Sequence, residues 1–190
     1  MARIPLISGK DDLDEERHVE VDAIVEVLGH VPGPFGVLLH SPGLAERVCR
    51  AGAQVRLESE LTMAEREIAL LSVARDRDAE SEWAWHAPIA RRAGVSPEAM
   101  DVIRDAADPG GLAAPEREII VYARELLRTN RVGQPAFDAL RDRHGVRWLV
   151  ELTATIGQYL YVSAINNAFE VVGEPKPDAE KLPIPAPGGR

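Results

Sequence analysis

Apolar residues recur at intervals of three and four along most of the chain, the spacing of helices that bury one face. From Asp14 to Leu28 they fall at Val21, Ile24, Val25 and Leu28, with Asp14, Glu15 and Glu16 in the first turn. Ser41-Pro42 is an N-cap followed by a first-turn proline, and opens a helix to about Leu57. Thr62-Met63-Ala64-Glu65 has capping-box spacing. The helix it starts carries Leu70, Leu71 and Ala74 inward, with Glu67 on the same stripe one turn earlier, and ends at Asp76-Arg77-Asp78. The next helix runs to Ala93, with Gly94 as its C-terminal cap. Pro88 lies inside it and predicts a kink just after His86.

Ser96-Pro97-Glu98 opens a helix to about Ala107, and Pro115 begins one to Thr129 that turns Ile119, Ile120, Ala123, Leu126 and Leu127 inward. A shorter helix spans Gly133 to His144. The longest starts at Gly145 or Val146 and runs to about Val172. Its predicted stripe is Leu149, Val150, Thr153, Ile156, Leu160, Ala164, Asn167, Ala168 and Val171, in which Asn167 needs a buried partner. No stretch alternates with period two between turn signals, so no sheet is expected. The pattern predicts an all-α bundle of about seven or eight helices.

Glycine and proline set the boundaries. Gly29 to Gly36 contains two prolines and three glycines and predicts a loop. Residues 1–13 read as an extended arm, so the expected organisation is an arm and helix over 1–30, a helical domain over 31–172 and a proline-rich tail over 173–190. The tail is expected to be extended or to lie on a neighbouring copy. Glu65-Arg66-Glu67-Ile68 recurs as Glu116-Arg117-Glu118-Ile119, a faint internal echo at two helix starts.

Composition narrows the function classes. The 190 residues are 45% hydrophobic, enough for one domain with extensions and a sizeable core. A net charge of -9 removes the electrostatic footprint of a nucleic-acid binder and of a polybasic lipid-binding patch. The apolar runs fall short of the roughly 20 residues needed to span a bilayer. The N-terminus turns acidic at once, unlike a signal peptide, so a cytoplasmic location is expected. The single cysteine, Cys49, excludes an intrachain disulfide framework and any CxxC motif, and its helical setting predicts a buried, inert thiol.

The candidate chemistry centres on Glu67, Glu82 and His86. Glu82 and His86 are four residues apart, hence on one side of a helix, with Ala79 one turn back and Ile89 and Ala90 one turn forward. Histidine shuttles protons near neutral pH, and an adjacent carboxylate orients its ring. Two carboxylates in different surroundings can divide acid and base roles. The same spacing also suits an exposed Glu82–His86 helix pair and a surface Glu67. Glu-Glu-His is a legal ligand set, but an E-x3-H pair carries little weight beside H-E-x-x-H, so no metal and no cofactor is assigned. His18, His30, His40 and His144 fall in loops or at helix ends, where surface or capping roles are expected; His40, just ahead of a helix, could instead face a pocket. Trp83 and Trp85 point to different sides, and Tyr122, Tyr159 and Tyr161 are expected in core or pocket walls.

Together these residues resemble the carboxymuconolactone decarboxylase family, which includes the alkyl hydroperoxidase D-like proteins. The resemblance runs from Val31-Pro32-Gly33-Pro34-Phe35 to Asn167-Ala168-Phe169-Glu170-Val171. It is carried by the segments Leu39 to Glu46, Glu65 to Ile68, Glu82 to His86 and Arg91 to Ser96. It implies an all-α, alkyl hydroperoxidase D-like helical bundle, assembled as a homo-oligomer (trimer or hexamer). The hydroperoxidase branch pairs two redox cysteines with a proton-relay glutamate and histidine. Aligned on His86, that pattern keeps the relay pair as Glu67 and His86 but sets Ala79 and Glu82 where the thiols belong. Peroxide reduction by that route lacks its nucleophile. The resemblance leaves three functions open. The first is cofactor-free acid–base chemistry (decarboxylase, lyase or isomerase) on a small organic acid or lactone, with His86, Glu67 and Glu82 catalytic. The second is hydroperoxidase activity, disfavoured without CxxC. The third is a non-catalytic binding protein.

Overall fold

The structure is a computed structural model that describes residues 2–172 and 180–184. Among these residues there are nine α-helices, three 3-10 turns and no strand: α1 His18–Leu28, α2 Gly33–Leu38, α3 Pro42–Leu57, α4 Met63–Asp76, α5 Glu80–Arg92, α6 Pro97–Arg104, α7 Ala114–Thr129, α8 Gln134–His144 and α9 Val146–Phe169. The capping box forms as its spacing predicts: Glu65 N–H donates to Thr62 Oγ1, and Thr62 N–H donates to Glu65 Oε2. The helix it starts, α4, is the centre of the bundle. Every residue from Glu67 to Ala74 is buried, because α5, α6, α7 and α9 surround it.

Apolar packing divides into two clusters. The larger joins α4, α5, α6, α7 and α9. The smaller joins Ile7 of the N-terminal arm to α1, α2 and the start of α3. The arm is extended apart from 3-10 turns at Lys10–Asp12 and Glu15–Arg17, and it is docked. Ile7 N–H donates to Gly36 O, Arg3 N–H donates to Phe169 O, and His40 Nε2 lies 2.9 Å from Pro5 O.

Three expectations are corrected. The Gly29–Gly36 stretch is not all loop. Gly29 caps α1 in the left-handed region (φ 78°), but Pro32 then caps α2, with Pro34 in its first turn. A first-turn proline loses no hydrogen bond, because its N–H would have no intrahelical acceptor. Several ends also shift: α1 starts at His18 behind a 3-10 turn, α6 stops at Arg104, and α9 stops at Phe169, capped by Glu170 at φ 52°.

The third correction is the buried face of α9. Trp148, Leu149, Leu152, Thr155, Ile156, Tyr159, Val162, Ser163 and Asn166 face inward. Val150 is 61% exposed, and Asn167 is exposed, donating to Arg77 O. This helix is apolar around much of its circumference, so periodicity alone selected a face about a quarter of a turn off, one residue along; contacts with α2, α3, α4 and α8 select the true one. Of the tail, 173–179 and 185–190 lie outside the described residues; Leu182 is buried in the larger cluster of its own chain. No helix among the described residues is long and apolar enough to cross a membrane.

The register of α9 is testable. Leu152→Ala, at a fully buried position, is expected to cost about 2–5 kcal/mol in denaturant unfolding, whereas Val150→Ala should stay within about 0.5 kcal/mol. Comparable losses for both would refute the observed face.

Candidate active site

Glu67 comes from the central helix α4 and His86 from α5, beside it. Both side chains are buried, and His86 Nδ1 lies 2.8 Å from Glu67 Oε2. With the carboxylate accepting, Nδ1 carries the ring hydrogen and Nε2 is left as an acceptor. The ring is held from another side by Tyr159 of α9, edge-on at 5.5 Å between centroids. Glu82, one turn before His86 on α5, sets Oε2 3.8 Å from His86 Nε2, too far for a hydrogen bond. Its other oxygen accepts from Asn166 Nδ2 at 2.7 Å. Pro88 sits within α5, which runs without a break from Glu80 to Arg92.

The structure thus brings Glu67, Glu82 and His86 together in the interior, not on the surface. The two carboxylates have different surroundings. Burial pushes the Glu82 carboxyl up from its ordinary range, against the pull of His86, the Asn166 hydrogen bond and Arg56. Burial likewise pushes the Tyr159 hydroxyl well up, so it stays a neutral wall group. Ala79 is the buried N-cap residue of α5 and offers no side-chain chemistry.

A cavity of about 390 Å³ opens at the seam between the two apolar clusters, within the range for small-molecule sites. Glu82, His86, Tyr159 and Asn166 line one side. Cys49, Gly52 and Arg56, at positions i, i+3 and i+7 of α3, line another. Leu6, Ile7 and Ser8 of the arm and residues 30–36 complete it. Cys49 is buried there, and desolvation pushes its thiol up, as expected of an inert cysteine. Among the described residues no group of three or more His, Cys, Asp or Glu is arranged to hold a metal ion.

Of the remaining candidates, His30 and Trp85 line the cavity, while Trp83 is core. His40 holds the arm and does not line the cavity; His18 contacts Leu13 O, and His144 stacks on Trp148. Tyr122 is core, hydrogen-bonded to Thr153. Sequence reasoning missed Asn166 and Arg56. The adjacent Asn167 was favoured because the α9 face was misjudged. Arg56 was legible in principle, since it shares a helical face with Cys49. Asn166 keeps one buried oxygen, Oδ1, without a partner among the described residues.

The sequence model of the Carboxymuconolactone decarboxylase family matches residues 42–123, which include Glu67, Glu82 and His86. No curated protein matches the chain. Among solved structures, it is similar to an alkylhydroperoxidase AhpD core, an uncharacterized peroxidase-related protein from Ralstonia eutropha JMP134, at TM-score 0.72 and 18% identity over 91% of this chain and 92% of that one. An uncharacterized peroxidase-related protein from Silicibacter sp. TM1040 aligns at TM-score 0.68 and 18% identity over 87% and 88%. The debrominase Bmp8, in a cysteine-to-alanine variant in complex with 2,3,4-tribromopyrrole, aligns at TM-score 0.64 and 16% identity over 92% and 94%. At these identities the likeness is one of fold.

Glu82 makes stability depend on pH. Its folded-state value lies above the ordinary 4.5, so its contribution is full below that value and is lost as pH rises through the folded value. Glu82→Gln keeps an oxygen for Asn166 and removes the ionisation. It is expected to be more stable than wild type at pH 8, with the gap closing toward pH 4. A gap that does not vary with pH, read by calorimetry, would contradict the buried carboxyl.

Proposed function

We propose, from the match of residues 42–123 to the Carboxymuconolactone decarboxylase family and from the geometry of the cavity, that the chain catalyses cofactor-free acid–base chemistry on a small organic acid or lactone. The observation that carries this reading is the buried His86–Glu67 hydrogen bond, with the second ring nitrogen turned toward Glu82 beside a cavity. A buried imidazole with one nitrogen pinned and the other able to accept is built to move a proton. His86 Nε2 is the base, Glu67 fixes the ring and its tautomer, and Glu82 is the acid.

The reaction class follows from this pairing. When a carboxylate leaves as CO2, the electron pair of the broken C–C bond stays on carbon and must receive a proton. A carboxyl whose pKa is pushed up by burial, as at Glu82, is suited to supply one. When a double bond moves next to a lactone carbonyl, a base removes a proton at one carbon and an acid returns it at another. The first needs the acid alone, with the imidazole positioned beside it, and the second needs both groups; neither needs an external oxidant.

The test is turnover of a panel of carboxylated γ-lactones and β-keto acids in deuterated water, followed by NMR for CO2 loss and for deuterium entering the product. His86→Ala is expected to lower kcat/KM by about 100-fold or more on any substrate found, and Glu67→Gln by about 10-fold or more. Full turnover by His86→Ala would end the assignment.

The hydroperoxidase alternative is tested separately. The chain's single thiol is buried and pushed away from its reactive form, and it has no resolving partner. Peroxide consumption in the presence of a dithiol reductant is expected at background for wild type and Cys49→Ser alike. Consumption abolished by Cys49→Ser would favour the thiol route.

A further inference from the structure

We propose that Arg56 anchors a carboxylate of the substrate, and that this carboxylate stays in the product. The inference rests on the acid–base reading of the same cavity and adds a substrate class and a residue to it.

Among the described residues, Arg56 is the arginine whose guanidinium has neither an ion pair nor a hydrogen bond. The others end on a partner: Arg50 on Glu46, Arg128 on Asp76, Arg143 on Glu118, Arg124 on the Ala107 and Val102 carbonyls. The lack is not one of available anions, since 31 acidic side chains face 22 basic ones in this chain. Arg56 also lines the cavity. One turn before it on α3 is Gly52, where even a Cβ would lie 3.0 Å from the Gln158 amide nitrogen. The Gln158 side chain of α9 thus packs onto α3 over Gly52, beside Arg56. The positive charge reaches the opposite wall, acting on Glu82 and Tyr159 as well as on Cys49. Among the described residues no ion pair joins it to Glu82, whose contacts are Asn166 and His86.

A guanidinium facing a small, mostly apolar cavity with no anion of its own fits a ligand carboxylate, which it can grip through two parallel N–H donors. The chemistry decides which carboxylate. An ion pair stabilises a carboxylate more than it stabilises the neutral CO2 that forms from it. Anchoring the departing group would therefore stabilise the ground state over the transition state and slow the reaction. The reacting end belongs beside His86 and Glu82, and the anchored end at Arg56. The substrate class is a small ring or chain carrying a carboxylate that the reaction does not consume.

The experiment measures binding, so that it does not depend on turnover. The full chain is titrated with 2-furoate and with its neutral isostere 2-furamide, followed in two-dimensional amide NMR spectra. Wild type is expected to bind 2-furoate about tenfold more tightly than 2-furamide. Added salt should erode that preference, since the anchor is exposed. Arg56→Gln should abolish it and Arg56→Lys should retain part of it. Arg56 is an exposed side chain, so Arg56→Gln should fold, as its amide spectrum will report. Equal affinity of wild type for acid and amide, binding of neither, or a preference that survives Arg56→Gln overturns the proposal. A preference that depends on Arg56 with no turnover of any panel member removes the acid–base chemistry and keeps the anchor. Turnover that depends on His86 without a 2-furoate preference does the reverse.

Discussion

A carboxylate on a helix that is buried on all sides is the constraint around which this structure is arranged. Glu67 sits at the start of the buried run of α4, where neither water nor solvent-exposed cations can satisfy it. Leaving such a group without a partner costs several kcal/mol. The partner comes from α5, and the His86–Glu67 contact fixes where α5 lies along α4. Once the ring is held at Nδ1, its other nitrogen has one direction left, and Glu82 and the cavity lie that way. Tyr159 then closes on the ring, which ties α9 to the same point.

The two glutamates show how one helix pair gives similar side chains different roles. Glu67 bonds the imidazole directly, whereas Glu82 has a single hydrogen bond, from Asn166, and remains too far from His86 for a second. A lone hydrogen bond does not offset full desolvation, so the balance at Glu82 tips toward the protonated form. A ring nitrogen free to accept and a carboxyl pushed up by burial therefore sit on either side of one gap. With Ala79 at the N-cap of α5 and Cys49 buried on α3, the same gap offers no pair of thiols.

Local signals in the sequence carried far. The Thr62–Glu65 capping box located α4 to the residue, and the four-residue spacing of Glu82 and His86 placed them on one face. Whether that face was buried was not legible, because an exposed helix pair has the same spacing. It became so only through packing of α4 and α9. The face of α9 was not legible either. A helix apolar around most of its surface leaves periodicity no contrast to read, and so Asn167 was favoured over Asn166. Arg56 was overlooked for a different reason: in isolation it is one arginine among many, and its lack of a partner is a property of three-dimensional structure.

The short helix that the glycine–proline stretch concealed explains why a cavity exists at all. Pro32 and Pro34 start α2 early, and α2 then presents Gly36 to the arm. A Cβ at Gly36 would stand 3.0 Å from Ile7 O, so the arm can approach only because that position is bare. Ile7 donates to Gly36 O, Arg3 binds the end of α9, and Leu6 to Ser8 become cavity wall. Without α2 the arm would lose the Gly36 edge it docks on, and the cavity wall beside Glu82 would open, weakening the desolvation that pushes its carboxyl up. The turn chemistry at residues 29–36 and the burial of Glu82 are therefore linked through the docked arm.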